Sequence, residues 1–336
     1  MNDILTAWIT TNYSCNLNCK WCYARNALDS DKTLSFENAK KIVDSLIALK
    51  IHSIVLIGGE PTCYDNLPDL IRYIKKQDPS VVVALTTNGI LLSDAAYVKN
   101  LTDSGLEKCN ISIKAFTRDD FAKVTESCNG FDNVITGIRN VQNSTCDLMV
   151  SYVISDADIS KIDLLHSFCI SHDIKRVLIQ YVKPSVQMNS DPVMPMQDMV
   201  KTTEYIYKTW DNRVDYSIEI SYPVCLIDKT VFEKMRTEKK ITMGCHVQTG
   251  TGLNFDTEAR IIPCNHFIDF PYDNKPHLTT DSIVNLCSSE MFKTTMNKAC
   301  SYPSVKCKEC GNWNICRGGC FTRWFYEDPD KVIPSF

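Results

Sequence analysis

Cys15-Asn16-Leu17-Asn18-Cys19-Lys20-Trp21-Cys22 is a CX3CX2C arrangement that directly follows a predicted first strand, Ile4–Thr11. Three thiolates at this spacing are able to wrap one cubane iron–sulfur cluster and to leave one of its irons without a protein ligand. Zinc is the alternative metal, but it would need a fourth nearby Cys or His, and residues 12–51 hold none besides the three cysteines. The spacing therefore favours an iron–sulfur cluster with one iron open to an exogenous chelating ligand.

Short β-rich runs alternate with helical patterns through the first two-thirds of the chain. After the first strand, the predicted strands are Ser53–Ile57, Val81–Thr86, Cys109–Lys114, Leu148–Ile154 and Arg176–Val182. Amphipathic helices are predicted from Phe36 (with Ser35 as its N-cap), after Asn66 and around Ile159–Cys169. This alternation favours a parallel sheet with right-handed crossovers. Six strand–helix units are too few for a closed barrel, so we predict an α/β fold built on a partial (β/α)6 TIM-like barrel.

Three further motifs follow the next three strands. Gly58-Gly59-Glu60-Pro61 comes after the second strand, Thr87-Asn88-Gly89 after the third, and Ile111-Ser112-Ile113-Lys114 ends the fourth. Each is a weak signal alone, since a Thr-Asn-Gly turn is common in loops. Together with the cysteine triplet, in this order and at strand ends where an α/β barrel carries its chemistry, they resemble the radical S-adenosylmethionine (radical SAM) enzymes.

The resemblance assigns roles to these residues. It implies that Cys15, Cys19 and Cys22 hold a 4Fe–4S cluster whose open iron is chelated by S-adenosylmethionine. It implies that the Gly58–Gly59 backbone and Glu60 receive the methionine ammonium group, and that Ser112 hydrogen-bonds the cofactor. The remaining implied cofactor contacts are Trp21 and Tyr23, beside the adenine, and Asn88 in the Thr-Asn-Gly turn. Many relatives carry either an acidic residue or a lysine at the position of Lys114, so this chain departs from the acidic version of the motif.

A second cysteine group lies near the end of the chain. Cys307, Cys310, Cys316 and Cys320 form a CX2CX5CX3C pattern, which in isolation is also compatible with a zinc ribbon. Upstream, Cys245 and Cys264 bracket a predicted hairpin at residues 253–264. This arrangement resembles the SPASM and twitch extensions of peptide-modifying radical SAM enzymes, which carry one or two auxiliary iron–sulfur clusters.

The family pattern divides these cysteines into two sets. One auxiliary cluster takes the two upstream cysteines with the last of the quartet, and the other takes the first three of the quartet with a downstream cysteine. No cysteine follows Cys320, so we expect Cys287, Cys300, an acidic residue such as Asp328, or no residue in the fourth position. The set of Cys245, Cys264 and Cys320 would leave an open iron, which we expect to be available to a substrate group such as a peptide thiolate.

The resemblance implies a radical SAM peptide-modifying oxidoreductase. Its expected reaction is hydrogen abstraction from a residue of a ribosomally made peptide, followed by formation of a thioether or carbon–carbon cross-link. Expected partners are the precursor peptide and a flavodoxin or ferredoxin electron donor. Because the chain starts almost at the first strand, we also expect a separate leader-recognition protein. The alternatives are a sulfatase-maturing enzyme, disfavoured by Asn265 where that group carries a catalytic aspartate, a peptide epimerase, or a zinc-stapled binding protein.

Composition narrows the choice further. The 336 residues include 17 cysteines and carry a net charge of −4, with 44% hydrophobic and 23% charged residues. A long chain without a secretory signal, and with an odd number of cysteines, favours metal ligands over disulfides. The acidic balance argues against a nucleic-acid partner, and no apolar run is long enough to span a membrane. We therefore expect a soluble cytoplasmic protein.

Three further expectations concern organisation and the unassigned cysteines. We predict a radical SAM core at residues 1–212 and a cysteine-rich domain at residues 213–336, with a loop at residues 183–197 and a helix from Gln197 to Trp210 between strand six and the boundary. Cysteines outside the two groups are expected to be buried apolar side chains. Those cysteines are Cys63, Cys109, Cys128, Cys146 and Cys169. We expect Cys225 to be a buried apolar side chain as well. The alternatives are that it donates hydrogen to a substrate radical or that it is a cluster ligand.

Overall fold

The computed structural model describes residues 4–24, 31–185 and 194–334. Within them, strands of two to eight residues join one mixed sheet. The strands are β1 (Thr6–Thr10), β2 (Ser53–Ile57), β3 (Val82–Thr87), β4 (Lys108–Ile113), β5 (Asp147–Ile154), β6 (Arg176–Tyr181), β7 (Asp215–Glu219), β8 (Ile241–Thr242), β9 (Gly252–Phe255) and β10 (Ile261–Ile262).

The helices fall into two sets. In the barrel, they follow the strands one by one and pack on the outside of the sheet; in the last third, they are mostly short. The helices are α1 (Phe36–Ala48), α2 (Leu67–Gln77), α3 (Ala95–Asp103), α4 (Arg118–Thr125), α5 (Phe131–Gln142), α6 (Ile159–Ser171), α7 (Met196–Thr209), α8 (Lys229–Thr237), α9 (His246–Thr249), α10 (Thr280–Ser288), α11 (Glu290–Ala299), α12 (Trp313–Cys316) and α13 (Pro329–Val332).

The strand order of the sheet is β10-β9-β1-β2-β3-β4-β5-β6-β7-β8. Every neighbouring pair is parallel except β9 with β10, which form an antiparallel hairpin. Strands β1 to β6 are neighbours in chain order, as expected from repeated right-handed strand–helix crossovers. The predicted α/β fold with an open, partial barrel is confirmed, and so is the hairpin between Cys245 and Cys264.

The local signals behave as predicted. Ser35 caps α1, where its side chain accepts from the Asn38 amide at 3.2 Å. The apolar face of α1 is buried against the sheet, and the same pattern holds for α2, which ends before Pro79. The predicted helix at Gln197–Trp210 begins and ends one residue earlier. Residues 186–193 of the predicted loop lie outside the described residues.

The last third of the chain extends the barrel sheet at both edges. Strand β7 pairs in parallel with β6, and β9 pairs in parallel with β1. Phe255 and Ile261 are fully buried in the same apolar cluster as the barrel strands. Strands and core residues of the last third thus belong to the same sheet and core as the barrel, and the division at residue 212 stays a prediction. Within the described residues, no helix is both long and apolar enough to cross a membrane.

Candidate active site

A cavity of about 870 Å³ opens at the carboxyl ends of the parallel strands. Its wall includes strand-end residues such as Thr87, Ser112 and Glu219, together with cysteines from both ends of the chain. Carboxyl ends of parallel strands meet at one edge of the sheet, which is where α/β barrels hold their reactive groups. The sequence therefore predicted the position of the cavity correctly.

The N-terminal cysteines share one corner of this cavity. Cys15, Cys19 and Cys22 all line it. Their loop is held by backbone hydrogen bonds to the end of α4, from the Asn18 amide to Thr125 at 3.0 Å and from the Lys20 amide to Val124 at 3.2 Å. The structure thus brings the predicted triplet together.

The chemistry of this corner fits an iron–sulfur cluster. Burial raises the pKa of Cys15 to about 12, and the Glu60 carboxylate and the thiols of Cys22 and Cys19 add to the rise. A thiolate at Cys15 is therefore disfavoured unless a cation offsets its charge, and an iron cluster held by cysteine thiolates would supply one. Among the described residues, no three Cys, His, Asp or Glu side chains are grouped closely enough to hold a single metal ion.

The Gly-Gly-Glu-Pro edge lies directly against the segment before the cysteines. The Gly59 amide donates to Asn12 O at 2.8 Å, and the Glu60 amide donates to Ser14 O at 2.9 Å. A Cβ atom on Gly59 would lie 2.2 Å from Tyr13 O, and one on Gly58 would lie 2.6 Å from Asn12 O. Glycine is required at both positions because two backbone segments approach each other there.

Glu60 ties two turns together. Its Oε1 accepts from the Thr62 amide at 3.0 Å, from Thr62 Oγ1 at 2.6 Å and from Thr87 Oγ1 at 2.6 Å, while Oε2 accepts from the Asn88 amide at 2.7 Å. The side chain is buried at the cavity wall. With Oε1 occupied by three donors, acceptor capacity for a cofactor ammonium group resides on Oε2. The predicted role of Glu60 therefore stays a prediction, with a structural role now beside it.

The other predicted cofactor residues also line the cavity. Asn88 Nδ2 donates to Asn16 Oδ1 at 2.6 Å and approaches Cys15 Sγ at 3.9 Å, so the Thr-Asn-Gly turn supports the cysteine loop. Ser112 Oγ accepts from Lys114 Nζ at 2.8 Å, which places a cation beside Ser112. Their predicted contacts to S-adenosylmethionine remain predictions.

Two aromatic residues flank the last cysteine of the triplet. Trp21 and Tyr23 both line the cavity, as predicted for groups beside the cofactor. Tyr23 Oη donates to Gly58 O at 3.4 Å, and its ring lies 5.6 Å from that of His266. Tyr23 thereby joins the N-terminal cysteine loop to the cysteine-rich segment across the cavity.

A second group of thiols also lines this cavity. Cys245, Cys264 and Cys320 all line the same cavity. Burial raises the pKa of Cys264 to about 12, and the thiols of Cys320 and Cys245 add to the rise. These are the three cysteines that the family pattern assigns to one auxiliary cluster, and the structure brings them together.

Two histidines adjoin this second group. His246 Nε2 accepts from Asn254 Nδ2 at 2.6 Å, so His246 is fixed to the β9–β10 hairpin. Burial lowers the pKa of His246 to about 4 and that of His266 to about 3, so both rings are neutral at pH 7. Among the described side chains, His266 Nδ1 and Asn265 Oδ1 are buried at the cavity wall without a hydrogen-bond partner. Such unpaired polar atoms are available to a bound substrate.

A half-buried ion pair that we did not predict lies beside the second thiol group. Lys183 Nζ donates to Glu219, which also accepts from Gln180 Nε2. Burial alone would lower the pKa of Lys183, but the Glu219 carboxylate outweighs burial and raises it; Lys183 correspondingly lowers the pKa of Glu219. Both residues stand at or just beyond the end of an apolar strand, a signal that would have identified them.

The remaining cysteines are placed mostly as expected. Cys109, Cys146 and Cys169 are buried. The prediction is wrong for Cys128, which is exposed because it lies in the short connection between α4 and α5 rather than in an element that packs on the core. Cys225 lies next to the C-terminal quartet and is considered below.

The fold and site define an α/β partial-barrel protein with two groups of thiols that line one cavity. A model of the radical SAM superfamily matches residues 9–162, which contain the triplet and the three strand-end motifs. These residues are similar to the radical SAM superfamily. The match implies S-adenosylmethionine and a 4Fe–4S cluster as cofactors.

The proteins that match this chain in sequence are named differently from the solved structures that match its fold. The probable GTP 3′,8-cyclase of Methanococcus maripaludis is 28% identical over 213 residues, which cover 61% of this chain and 70% of that protein. The probable GTP 3′,8-cyclase of Saccharolobus solfataricus is 36% identical over 132 residues, or 39% of this chain and 42% of that protein.

Solved structures match over nearly the whole chain. Streptococcus suis SuiB, bound to its precursor peptide SuiA, superposes with a TM-score of 0.76 at 18% identity, covering 96% of this chain and 73% of SuiB. Native anSMEcpe with bound AdoMet superposes with a TM-score of 0.72 at 15% identity, covering 98% of both chains. At these identities the likeness establishes the shared fold, including the cysteine-rich last third.

Proposed function

We propose that this protein is a radical SAM oxidoreductase that matures a ribosomally made peptide by forming a thioether or carbon–carbon cross-link. The observation that carries the proposal is the single cavity lined by two groups of thiols, one near the start of the chain and one from its last third. A substrate in that cavity would face Cys15, Cys19 and Cys22 on one side and Cys245, Cys264 and Cys320 on the other. The shared fold with SuiB and anSMEcpe, both solved with peptides bound, supports a peptide substrate.

The N-terminal wall would hold the radical source. When bound, the cluster and S-adenosylmethionine supply a 5′-deoxyadenosyl radical able to remove hydrogen from an unactivated carbon. Cys15, Cys19 and Cys22 would hold the cluster, while the Gly58–Gly59 edge, Ser112 and Asn88 orient the cofactor. The close packing of residues 12–14 on Gly58 and Gly59 fixes the distance between these two parts, and reactions of this kind depend on such positioning.

The second wall would complete the oxidation. A cross-link removes two hydrogens from the peptide: one leaves as a hydrogen atom to the 5′-deoxyadenosyl radical, and the other leaves as a proton to solvent and an electron. Cys245, Cys264 and Cys320 would hold the acceptor of that electron at an auxiliary iron–sulfur cluster. Asn265 and His266, with their unpaired polar atoms, would bind amide groups of the peptide backbone.

A nucleotide substrate is the second candidate, because the sequence relatives are named GTP 3′,8-cyclases. A triphosphate would be bound by several cationic side chains. The lysines and arginines on the described wall are Lys114, Lys183 and Arg317, and Lys183 is already paired with Glu219. Arg317 donates to Gln248 O at 3.0 Å, so much of this positive charge is engaged within the protein. The wall therefore suits a peptide better than a triphosphate.

The test is an anaerobic reaction with dithionite or a flavodoxin-type donor and S-adenosylmethionine. Each reaction contains either GTP or the short peptide encoded beside the gene, with and without any separate leader-binding protein encoded there. Mass spectrometry should find 5′-deoxyadenosine and a peptide that has lost two hydrogens. The control is the Cys15→Ala, Cys19→Ala, Cys22→Ala variant, which should form neither product.

Other outcomes would contradict the cross-linking proposal. An unchanged peptide mass with deuterium uptake from solvent would indicate epimerisation. Conversion of a peptide cysteine to an aldehyde would indicate sulfatase-type maturation. Consumption of GTP with no change in the peptide would overturn the peptide substrate while leaving the radical chemistry in place.

A further inference from the structure

The first three cysteines of the C-terminal quartet form a third group of thiols. The Cys310 amide donates to Cys307 O at 3.3 Å in the tight turn that leads to α12. Burial raises the pKa of Cys316; amide hydrogen bonds oppose the rise, and the thiols of Cys310 and Cys307 add to it. Three cysteine ligands are thus assembled where a cubane cluster would take four.

The loop after β7 is packed against this group through its backbone. The Val224 amide donates to Cys316 Sγ at 3.4 Å, and the Cys320 amide donates to Ser221 O at 2.9 Å. A Cβ atom on Gly319 would lie 2.7 Å from both Ser221 O and Tyr222 Cα. The loop therefore has little freedom to move away from the cysteine turn.

This loop carries one more thiol. Cys225 directly follows Val224 and is half-buried. Burial raises its pKa to about 12, and the neighbouring thiols of Cys316, Cys307 and Cys310 add to the rise. Cys225 therefore lies near the three cysteines of the turn.

The residues expected from the sequence to serve as the fourth ligand are engaged elsewhere. Cys287 is buried in α10, within the apolar core. Cys300 Sγ donates to Gln248 O at 3.1 Å and lies 3.5 Å from Arg317 Nη1. Asp328 caps α13, where it accepts from the Asp330 amide at 3.1 Å.

We propose that Cys225 is the fourth ligand of a 4Fe–4S cluster held by Cys307, Cys310 and Cys316. The ligand then comes from the loop after β7. A cluster with four protein thiolates has no open iron, so this site serves electron transfer and ties the β7 loop to the cysteine turn. The inference rests on the auxiliary-cluster part of the proposed function and is independent of the peptide substrate.

The test uses the full chain with Cys15, Cys19 and Cys22 replaced by alanine, so that the iron content reports the auxiliary sites alone. In that background, Cys225→Ala is compared with Cys300→Ala and Cys287→Ala after anaerobic reconstitution. We expect Cys225→Ala to lose roughly one to four iron ions per chain and to show the EPR signal of a three-iron cluster after mild oxidation. The two control variants should retain the iron content and spectra of the background.

A measurement without Cys225 variants covers the case in which Cys225→Ala fails to fold. The reconstituted chain is treated with iodoacetamide before and after iron removal by a chelator, and labelled cysteines are identified by mass spectrometry. Cys225 should be protected until the iron is removed, whereas the exposed Cys128 should be labelled in both states. Labelling of Cys225 in the iron-loaded chain, or full iron content and unchanged spectra in Cys225→Ala, would overturn the proposal. Because the radical-site cysteines are absent, a different substrate for the enzyme would not affect this result.

Discussion

Gly59→Ala tests whether the close approach at the Gly-Gly-Glu-Pro edge positions the radical site. The added Cβ atom would lie 2.2 Å from Tyr13 O and 2.5 Å from Ser14 O, both backbone atoms. Relief of these contacts requires the segment before Cys15 to move by roughly 1 Å, and backbone shifts of this kind cost about 1–3 kcal/mol of stability. Misplacement of reacting groups by about 1 Å lowers rates by roughly 100-fold.

The assay measures 5′-deoxyadenosine formed from S-adenosylmethionine by the dithionite-reduced protein, with the unfolding free energy measured in parallel. We expect Gly59→Ala to reduce 5′-deoxyadenosine formation by roughly 100-fold, because the segment also loses the hydrogen bond from the Gly59 amide to Asn12 O.

Gly311→Ala is the matched control. Gly311 directly follows Cys310, and a Cβ atom there would meet no heavy atom within 4 Å. We expect this variant to keep the stability and 5′-deoxyadenosine formation of the wild type. If Gly59→Ala stays within twofold of the wild type, or if Gly311→Ala falls equally far, then the contact at Gly59 does not position the site and the reasoning is wrong.

Two other predictions concern buried polar contacts. Glu219→Gln should lower the free energy of unfolding, measured in urea, by about 2–3 kcal/mol. This is below the usual range for breaking a buried ion pair because the side chains of Lys183 and Glu219 keep 17% and 24% exposure. Adding Lys183→Met should restore most of the loss, and a double variant no more stable than Glu219→Gln would refute this. The Glu219 pKa is lowered by folding, so this stabilisation should be present above the unfolded pKa and decline as pH falls through the folded one. Thr87→Val removes a donor to Glu60 and should lower the free energy of unfolding by about 1–2 kcal/mol. Thr136→Val, on the exposed face of α5, should lower it clearly less. Equal losses would show that the hydrogen bond to Glu60 does not contribute more to stability than an exposed one.

The barrel and its radical site were predictable because their signals are local. Each motif directly follows a strand, and parallel strands in chain order bring their carboxyl ends to one edge. The sequence could not show that Glu60 Oε1 is already occupied by three donors, because Thr87 reaches it from the next strand. The sequence also did not predict that Cys128 is exposed, because the composition of a short connection does not reveal whether that connection packs on the core.

The cysteine-rich third was less predictable because its placement depends on distant strand pairing. Strand β9 pairs with β1, and β7 pairs with β6, contacts that no spacing within the quartet encodes. The consequence for the site is direct. Because both added strands run parallel to the barrel, the loop after β7 and the hairpin after β9 leave the sheet at the edge that carries Cys15.

This parallel extension accounts for the shared cavity. The ring of His246 lies 4.6 Å from that of Trp8 in β1, which places Cys245 beside the barrel wall, while Glu219 at the end of β7 pairs with Lys183 just after β6. Extension of the sheet at both edges thus brings both groups of thiols to one cavity.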